Sequence, residues 1–442
     1  MSTTRNSRPA EGGGIKRYVI ASLAGNALEW YDFFLYATAA AVVFGHLFFP
    51  AGTDPLVGTL GAFAGFAVGF AARPLGGLIF GHIGDRVSRK SALVLTISLM
   101  GLATFLMGVL PTYAQVGILA PALLIVLRII QGVAAGGEWG GGVLLISENA
   151  SEKRRGFFSA FSQGGINLGF VLASGAFFLV HGLPQEQFMT WGWRLPFLFS
   201  IVLFGVGIYV RFSLRESHEF EDVKKDEGRP RVPVLAAIKS HPKEILVTLG
   251  LRFAENGGSY LITSFSIVYG VHIGIDTGLL LLGVALSMLF EFGTMLFFGH
   301  LSDKVGRRKV YTLGAAALAI MAFPFFALLD TKTPALIIVA YLIGNGICHG
   351  AMIGAQPSFF HELFTAEIRY SGMSVGHELA AVFAGGIAPL LATALLITYH
   401  SAAPIAIYMI VLAAITLAAL VLSLKVGSRR QNRQGQLVEE HA

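Results

Sequence analysis

Long apolar stretches separated by short polar loops run through most of the chain. They fall at about 18–45, 57–82, 92–110, 117–146, 157–181 and 192–213, and again at about 245–270, 278–300, 310–329, 334–359, 372–398 and 403–425. Most exceed the roughly 20 residues that carry an α-helix across a bilayer. Residues 1–16 are polar and read as a disordered cytoplasmic tail. A charged stretch at about 214–243, with Lys224, Lys225, Arg229, Arg231 and Lys239, separates the two sets of six. The pattern predicts a six-helix unit over 17–213, a cytoplasmic linker over 214–243, a second six-helix unit over 244–425 and a polar cytoplasmic tail over 426–442.

The two sets are related. The stretch RPLGGLIFGHIGDRVSRK (Arg73–Lys90) recurs in altered form as EFGTMLFFGHLSDKVGRR (Glu291–Arg308). Phe80-Gly81-His82 falls on Phe298-Gly299-His300, Asp85 on Asp303, Val87 on Val305 and Arg89 on Arg307. A repeat of this length, half a chain apart, predicts two related halves. The expected fold is an all-α multi-pass membrane protein with 12 transmembrane helices in two pseudo-symmetric six-helix halves.

Composition agrees with a membrane location. The chain is 54% hydrophobic and only 13% charged, with a mean hydropathy of +0.68. A soluble domain carries about 25% charged residues. The net charge of +6 resembles that of a nucleic-acid binder, but the basic residues sit in short loops between apolar runs and read as topology signals. With both termini inside, all but five basic residues fall on the cytoplasmic side. The exceptions are Arg73, Arg128, Arg194 and Arg252, in or at the ends of spans, and Lys332 in an outer loop. The first span carries Glu29 and Asp32, which sets it apart from a cleavable signal. A single cysteine, Cys348, excludes an intramolecular disulfide framework and a cysteine-based zinc site. The sequence carries no metal-ligand cluster, nucleophile triad or Walker lysine, so no cofactor and no enzymatic activity are expected.

The turn Gly81-x-x-Gly84-Asp85-Arg86-x-x-Arg89-Lys90 resembles the loop signature of the major facilitator superfamily. GNALEWYDF (25–33), ARPLGGLIFGHIGD (72–85), RIIQGVAAGGEWGG (128–141) and RFAENGGSY (252–260) resemble, more narrowly, its metabolite:proton symporter family, and most of all the shikimate and α-ketoglutarate permeases. Nearly the whole chain is covered. The sequence departs from the pattern at Ser88, where the signature has Gly, and at His377-Glu378, where relatives look uncharged. The resemblance implies proton-coupled symport by alternating access in the cell inner membrane. It implies import of a small carboxylate such as shikimate, or of a zwitterion such as proline or betaine. Export by proton antiport is the alternative, although the fifth span lacks the Gly-Pro pair of the drug antiporters. The expected working unit is a monomer.

Charges inside apolar spans are costly, so each is a functional candidate. Glu29 lies about 12 residues past Arg17, ~18 Å into the first span and near its midplane. Asn26, Glu29 and Asp32 spread over one broad face. Low dielectric favours the neutral form of a carboxyl group, so Glu29, Asp32 and Glu255 are candidates for proton coupling. The candidate substrate contacts are Asn26, Tyr31, Arg128, Gln131, Arg252 and Asn256, with Arg128 and Arg252 as one carboxylate clamp per half. The expected partners of Arg128 are Glu29 or Asp32. Arg252 and Glu255 also fit a self-neutralising pair within one helix. His349 is expected to be a core histidine, and His377 and Glu378 fit cavity lining or structural contacts equally well. Arg73 and Glu291, matched in the repeat, are expected to face each other across the halves. Asp85, Arg89, Glu148 and Arg155 in one half, and Asp303, Arg307, Glu362 and Arg369 in the other, form the expected cytoplasmic gate, one acidic–basic cluster per half.

Overall fold

The computed structural model describes residues 14–50, 52, 55–212, 238–365 and 368–440. Almost all of the expected amino-terminal tail and most of the expected linker lie outside the described residues, as do the side chains of Asp85 and Arg89. Among the described residues the structure is helical, and no strand is formed. The helices fall into columns: α1 (14–47), α2 (Pro55–Arg86), α3 (Arg89–Gly108), α4 (Leu119–Ser147), α5 (155–181) and α6 (185–212). The second set is α7 (242–272), α8 (Thr277–Val305), α9 (Arg307–Asp330), α10 (334–363), α11 (369–399) and α12 (Ala403–Glu440). Backbone helix thus continues from the last span well into the stretch expected to be a tail. Among the described residues, seven helices are long and apolar enough to cross a membrane, or eight if a pair in α6 bent by 44° counts as one.

Several columns are interrupted by π-turns, which hold one more residue per hydrogen-bonded ring than the α-helix and favour functional sites. Those at Phe253–Gly257 in α7, Leu342–His349 in α10 and Ala381–Gly386 in α11 lie at or beside charged side chains. Glycine sets how closely α2 approaches its neighbours. A Cβ on Gly136 of α4 would run into the backbone carbonyl of Arg73, so glycine there lets α4 press against the segment that carries this arginine. Toward its end, α2 lies on α11: a Cβ on Gly81 would come within 3.1 Å of Ser371 Cα.

The two copies of the repeat turn differ at one backbone position. Gly306 sits at φ +102°, in the left-handed region, and ends α8. Its counterpart Ser88 is extended at φ −170° and caps α3, its Oγ accepting from Ser91 N at 2.9 Å. Serine replaces glycine here because the backbone stays out of the region that favours glycine, and its hydroxyl satisfies an orphan helix donor instead.

Candidate functional site

Two polar clusters lie inside the bundle. The smaller joins α1, α3 and α4. Asp32 Oδ1 accepts from Thr104 Oγ1 at 2.5 Å and from Gln131 Nε2 at 2.6 Å. Gln131 Oε1 in turn accepts from Arg128 Nη1 at 2.9 Å. Arg128 is fully buried, with its guanidinium 3.9 Å from the Tyr36 ring centroid and 5.2 Å from that of Phe33. Aromatic faces at such distances stabilise a desolvated cation. Gln131 therefore relays between Arg128 and Asp32, while Glu29, the other expected partner of Arg128, pairs with Arg73.

The larger cluster is a chain of contacts running from α1 to α8. Glu29 Oε1 accepts from Arg73 Nη2 at 2.9 Å, and Arg73 Nε donates to Glu378 Oε2 at 2.5 Å. Glu378 Oε1 lies 2.7 Å from His377 Nδ1, and His377 Nε2 lies 2.5 Å from Arg252 Nη1. Arg252 Nη1 is 3.2 Å from Glu255 Oε2. Glu255 Oε1 is 3.5 Å from His349 Nε2, and His349 Nδ1 closes on Glu291 Oε1. Every member of this chain is buried. Trp139 of α4 stacks on His377 of α11, with centroids 3.7 Å apart and planes at 15°. Trp139 Nε1 donates to Gln163 Oε1 at 3.1 Å, and Gln163 Nε2 to Gln356 Oε1 at 3.2 Å, so neutral groups tie α4 and α5 to α10.

Some polar atoms in these clusters have no hydrogen-bond partner among the described residues. They include Glu29 Oε2, Asp32 Oδ2, Arg252 Nε and Asn256 Nδ2. The first two are acceptors in α1. The last two are donors carried one turn apart on α7, where the π-turn holds Asn256. Buried donors without acceptors are costly.

Other candidates are held differently. Tyr31 donates to Pro196 O at 2.7 Å and packs among Leu35 and Phe197, so it holds α1 to α6 and lies apart from the charged chain. Arg73 and Glu291 do not face each other: Arg73 binds Glu29 and Glu378, whereas Glu291 binds His349 and accepts from Asn345 Nδ2 at 3.2 Å and Asn167 Nδ2 at 3.3 Å. His349, expected to be a satisfied core histidine, is buried and stands between two carboxyl groups. Asn26 borders a crevice with Ser22, Glu138 and Trp139 that is too tight to hold a water molecule.

At the end of the bundle that carries the repeat turns, the charged groups pair across the halves rather than only within each. Arg369 Nη1 lies 3.6 Å from Glu148 Oε1. Asp303 accepts from the backbone amides of Gly156 at 2.7 Å and Phe157 at 2.9 Å, so it caps the start of α5. Arg307 holds Asp303 at 3.1 Å, pairs with Glu362, and donates to Glu152 O at 3.2 Å. Arg155 Nε donates to Ser147 O at 2.9 Å. The Tyr370 hydroxyl donates to Gly137 O, joining α11 to α4. This end is therefore closed.

A bundle of spanning helices with a charged centre and one latched end is the architecture of a membrane transporter. The sequence profile of the Major Facilitator Superfamily matches residues 22–377, and the chain belongs to that superfamily. It is 42% identical over 414 residues to a shikimate transporter of Escherichia coli (strain K12), covering 90% of this chain and 93% of the relative. It is 39% identical to the inner membrane metabolite transport protein YhjE of the same organism, covering 92% and 93%. To a proline/betaine transporter of Salmonella typhimurium it is 33% identical, covering 92% and 82%. Among solved structures, the proton:xylose symporter XylE bound to 6-bromo-6-deoxy-D-glucose matches with a TM-score of 0.75 at 15% identity, covering 93% of this chain and 96% of that one. The protein is a transporter, not an enzyme.

Proposed function

We propose that the protein is a proton-coupled symporter that imports a small carboxylate of the shikimate type. The observation that carries this reading is the make-up of the buried chain. Glu29, Glu378, Glu255 and Glu291 supply two more carboxyl groups than Arg73 and Arg252 supply guanidinium groups. In low dielectric such an excess is relieved by bound protons. Glu29, Asp32 and Glu255 are the proton-coupling groups of this reading. Arg252 and Asn256 present donors without partners to the substrate from α7, and Arg128, Gln131 and Asn26 are the contacts of this reading from α4 and α1. A planar guanidinium binds a carboxylate in two-pronged fashion, which favours an anion over a neutral sugar. The names of the similar proteins, shikimate and metabolite transporters, support the same substrate class.

In this reading the monomer lies in the cell inner membrane with both termini cytoplasmic. The latched end, with Glu148, Arg155, Asp303, Arg307, Glu362 and Arg369, is then the cytoplasmic gate. Asp85 and Arg89 belong to it by the repeat. The halves rock about the central chain to alternate access. Uptake of labelled shikimate into cells expressing the protein tests the reading. Uptake abolished by a protonophore is expected. Uptake that survives the protonophore, or labelled betaine taken up in place of shikimate, would overturn the coupling or the substrate class respectively.

A further inference from the structure

The two buried histidines of the central chain have opposite surroundings. His377 has a donor on one side and an acceptor on the other: Arg252 Nη1 at 2.5 Å from Nε2, and Glu378 Oε1 at 2.7 Å from Nδ1. A neutral imidazole, with its one N–H on Nδ1 and its lone pair on Nε2, satisfies both contacts. His349 has carboxyl oxygens on both sides, Glu291 Oε1 at Nδ1 and Glu255 Oε1 3.5 Å from Nε2. A neutral imidazole there turns a lone pair toward a carboxylate oxygen, which is repulsive. One further proton removes the conflict. The outer oxygen of Glu291 is already taken, since Oε2 accepts from Asn345 Nδ2 and Asn167 Nδ2. The proton therefore belongs to the imidazole and the oxygens it faces.

We propose that His349, clamped between Glu255 and Glu291, is a second proton-coupling site in the C-terminal six helices, its proton bound together with the substrate. The proposal rests on the symport reading above. The groups around His349 give the direction of coupling. From α7 come Glu255 and, beyond it, Arg252; from α8, Glu291; from α9, the Tyr311 hydroxyl, which donates to Leu251 O at 2.9 Å; from α5, Asn167; on α10 itself, Asn345 and Gln356. On the far side of Arg252 stands His377 of α11. Arg252 is the only cation beside Glu255 in this set. A substrate carboxylate that draws Arg252 to itself leaves Glu255 to be balanced by protonated His349. Conversely, a proton on His349 frees Arg252 for the substrate. Each ligand strengthens the other by the same factor.

The test uses the full-length protein in lipid nanodiscs, with ¹⁵N-labelled histidine, assigned through the His349→Gln and His377→Gln variants. At pH 7 both ring nitrogens of His349 are expected to carry protons, and only one of His377. A neutral His349 at pH 7 overturns the assignment. In a second arm, at the higher pH where the ring-nitrogen signals show that the substrate-free His349 has lost its extra proton, shikimate is added to lightly buffered protein and proton uptake is counted. The count is expected to fall by one per bound shikimate in His349→Gln. Equal counts in wild type and variant overturn the His349 site alone. Wild-type protein that binds shikimate without taking up protons overturns the symport reading with it. If shikimate does not bind, the substrate class fails, and the ring-nitrogen measurement decides the His349 site independently.

Discussion

Arg73 and Glu291 occupy equivalent places in two copies of one repeat, yet they are opposite in charge and differently held. Arg73 reaches out of its own half: one bond stays within the N-terminal helices, to Glu29, and the other crosses to Glu378 on α11. Glu291 is satisfied mainly by α10, through His349 and Asn345, with only the amide of Asn167 crossing from α5. The repeat thus supplies the two positions, and the charges divide the work. The cation ties the halves together at the centre. The anion prepares a protonation site inside one half.

The largest expected effect comes from removing the cation. Arg73→Gln leaves Glu29 and Glu378 buried without their shared partner, and breaking a buried pair costs about 3–5 kcal/mol. Thermal unfolding in detergent should show the loss. Glu291→Gln, in contrast, keeps an acceptor for the amides and removes one charge of an acidic excess, so its loss should be much smaller. Equal losses would remove the distinction drawn between the two positions. Next comes Glu29→Gln. It keeps an acceptor for Arg73 but no longer binds a proton. Accumulation against a gradient should be abolished while exchange persists. A variant that still concentrates substrate like wild type would show that Glu29 is not the proton site. Third, Arg252→Lys replaces the planar fork with a point charge. Substrate affinity should fall tenfold or more, about 1.4 kcal/mol, and binding measured by thermal shift checks it; Arg128→Lys should show the same change if it forms the other arm of the clamp. The smallest effect lies at the latched end. Asp303→Asn weakens the cap on α5 and the pair with Arg307, each worth about 1 kcal/mol or less at such partly exposed sites. Turnover should change several-fold with affinity nearly intact, and loss of affinity at normal turnover would place Asp303 outside the gate.

Much of the fold was legible in the sequence because lipid makes helix length and apolarity almost sufficient to define a span. The repeat then supplied the halving. Charges inside spans were equally legible as candidates, which is why Glu29, Asp32, Arg128, Arg252 and Glu255 were found. Their pairing was not. Arg73 and Glu378 are far apart in the chain, and no local spacing brings them together. The Arg252–Glu255 pair, three residues apart on one helix, was readable for that reason. His349 is buried as expected of a core histidine, but its two carboxyl partners arrive from different helices, α7 and α8, so no local spacing announces them. Tyr31 shares a helix with Glu29 and Asp32, but its hydroxyl finds Pro196 on α6, a partner that no local spacing shows. The π-turns left no sequence signal either, and they shift which faces of α7, α10 and α11 meet the centre.

The stack of Trp139 on His377 has a practical consequence. The two rings belong to opposite halves and lie face to face at 3.7 Å. The emission of an indole follows its surroundings, so it changes when a ring stacked on its face is removed. The chain has four tryptophans, and the other three, Trp30, Trp191 and Trp193, lie away from this contact. The protein therefore carries a built-in fluorophore at the seam between its halves, and a separation of the halves in the proposed transport cycle can be followed by its emission without attaching any label.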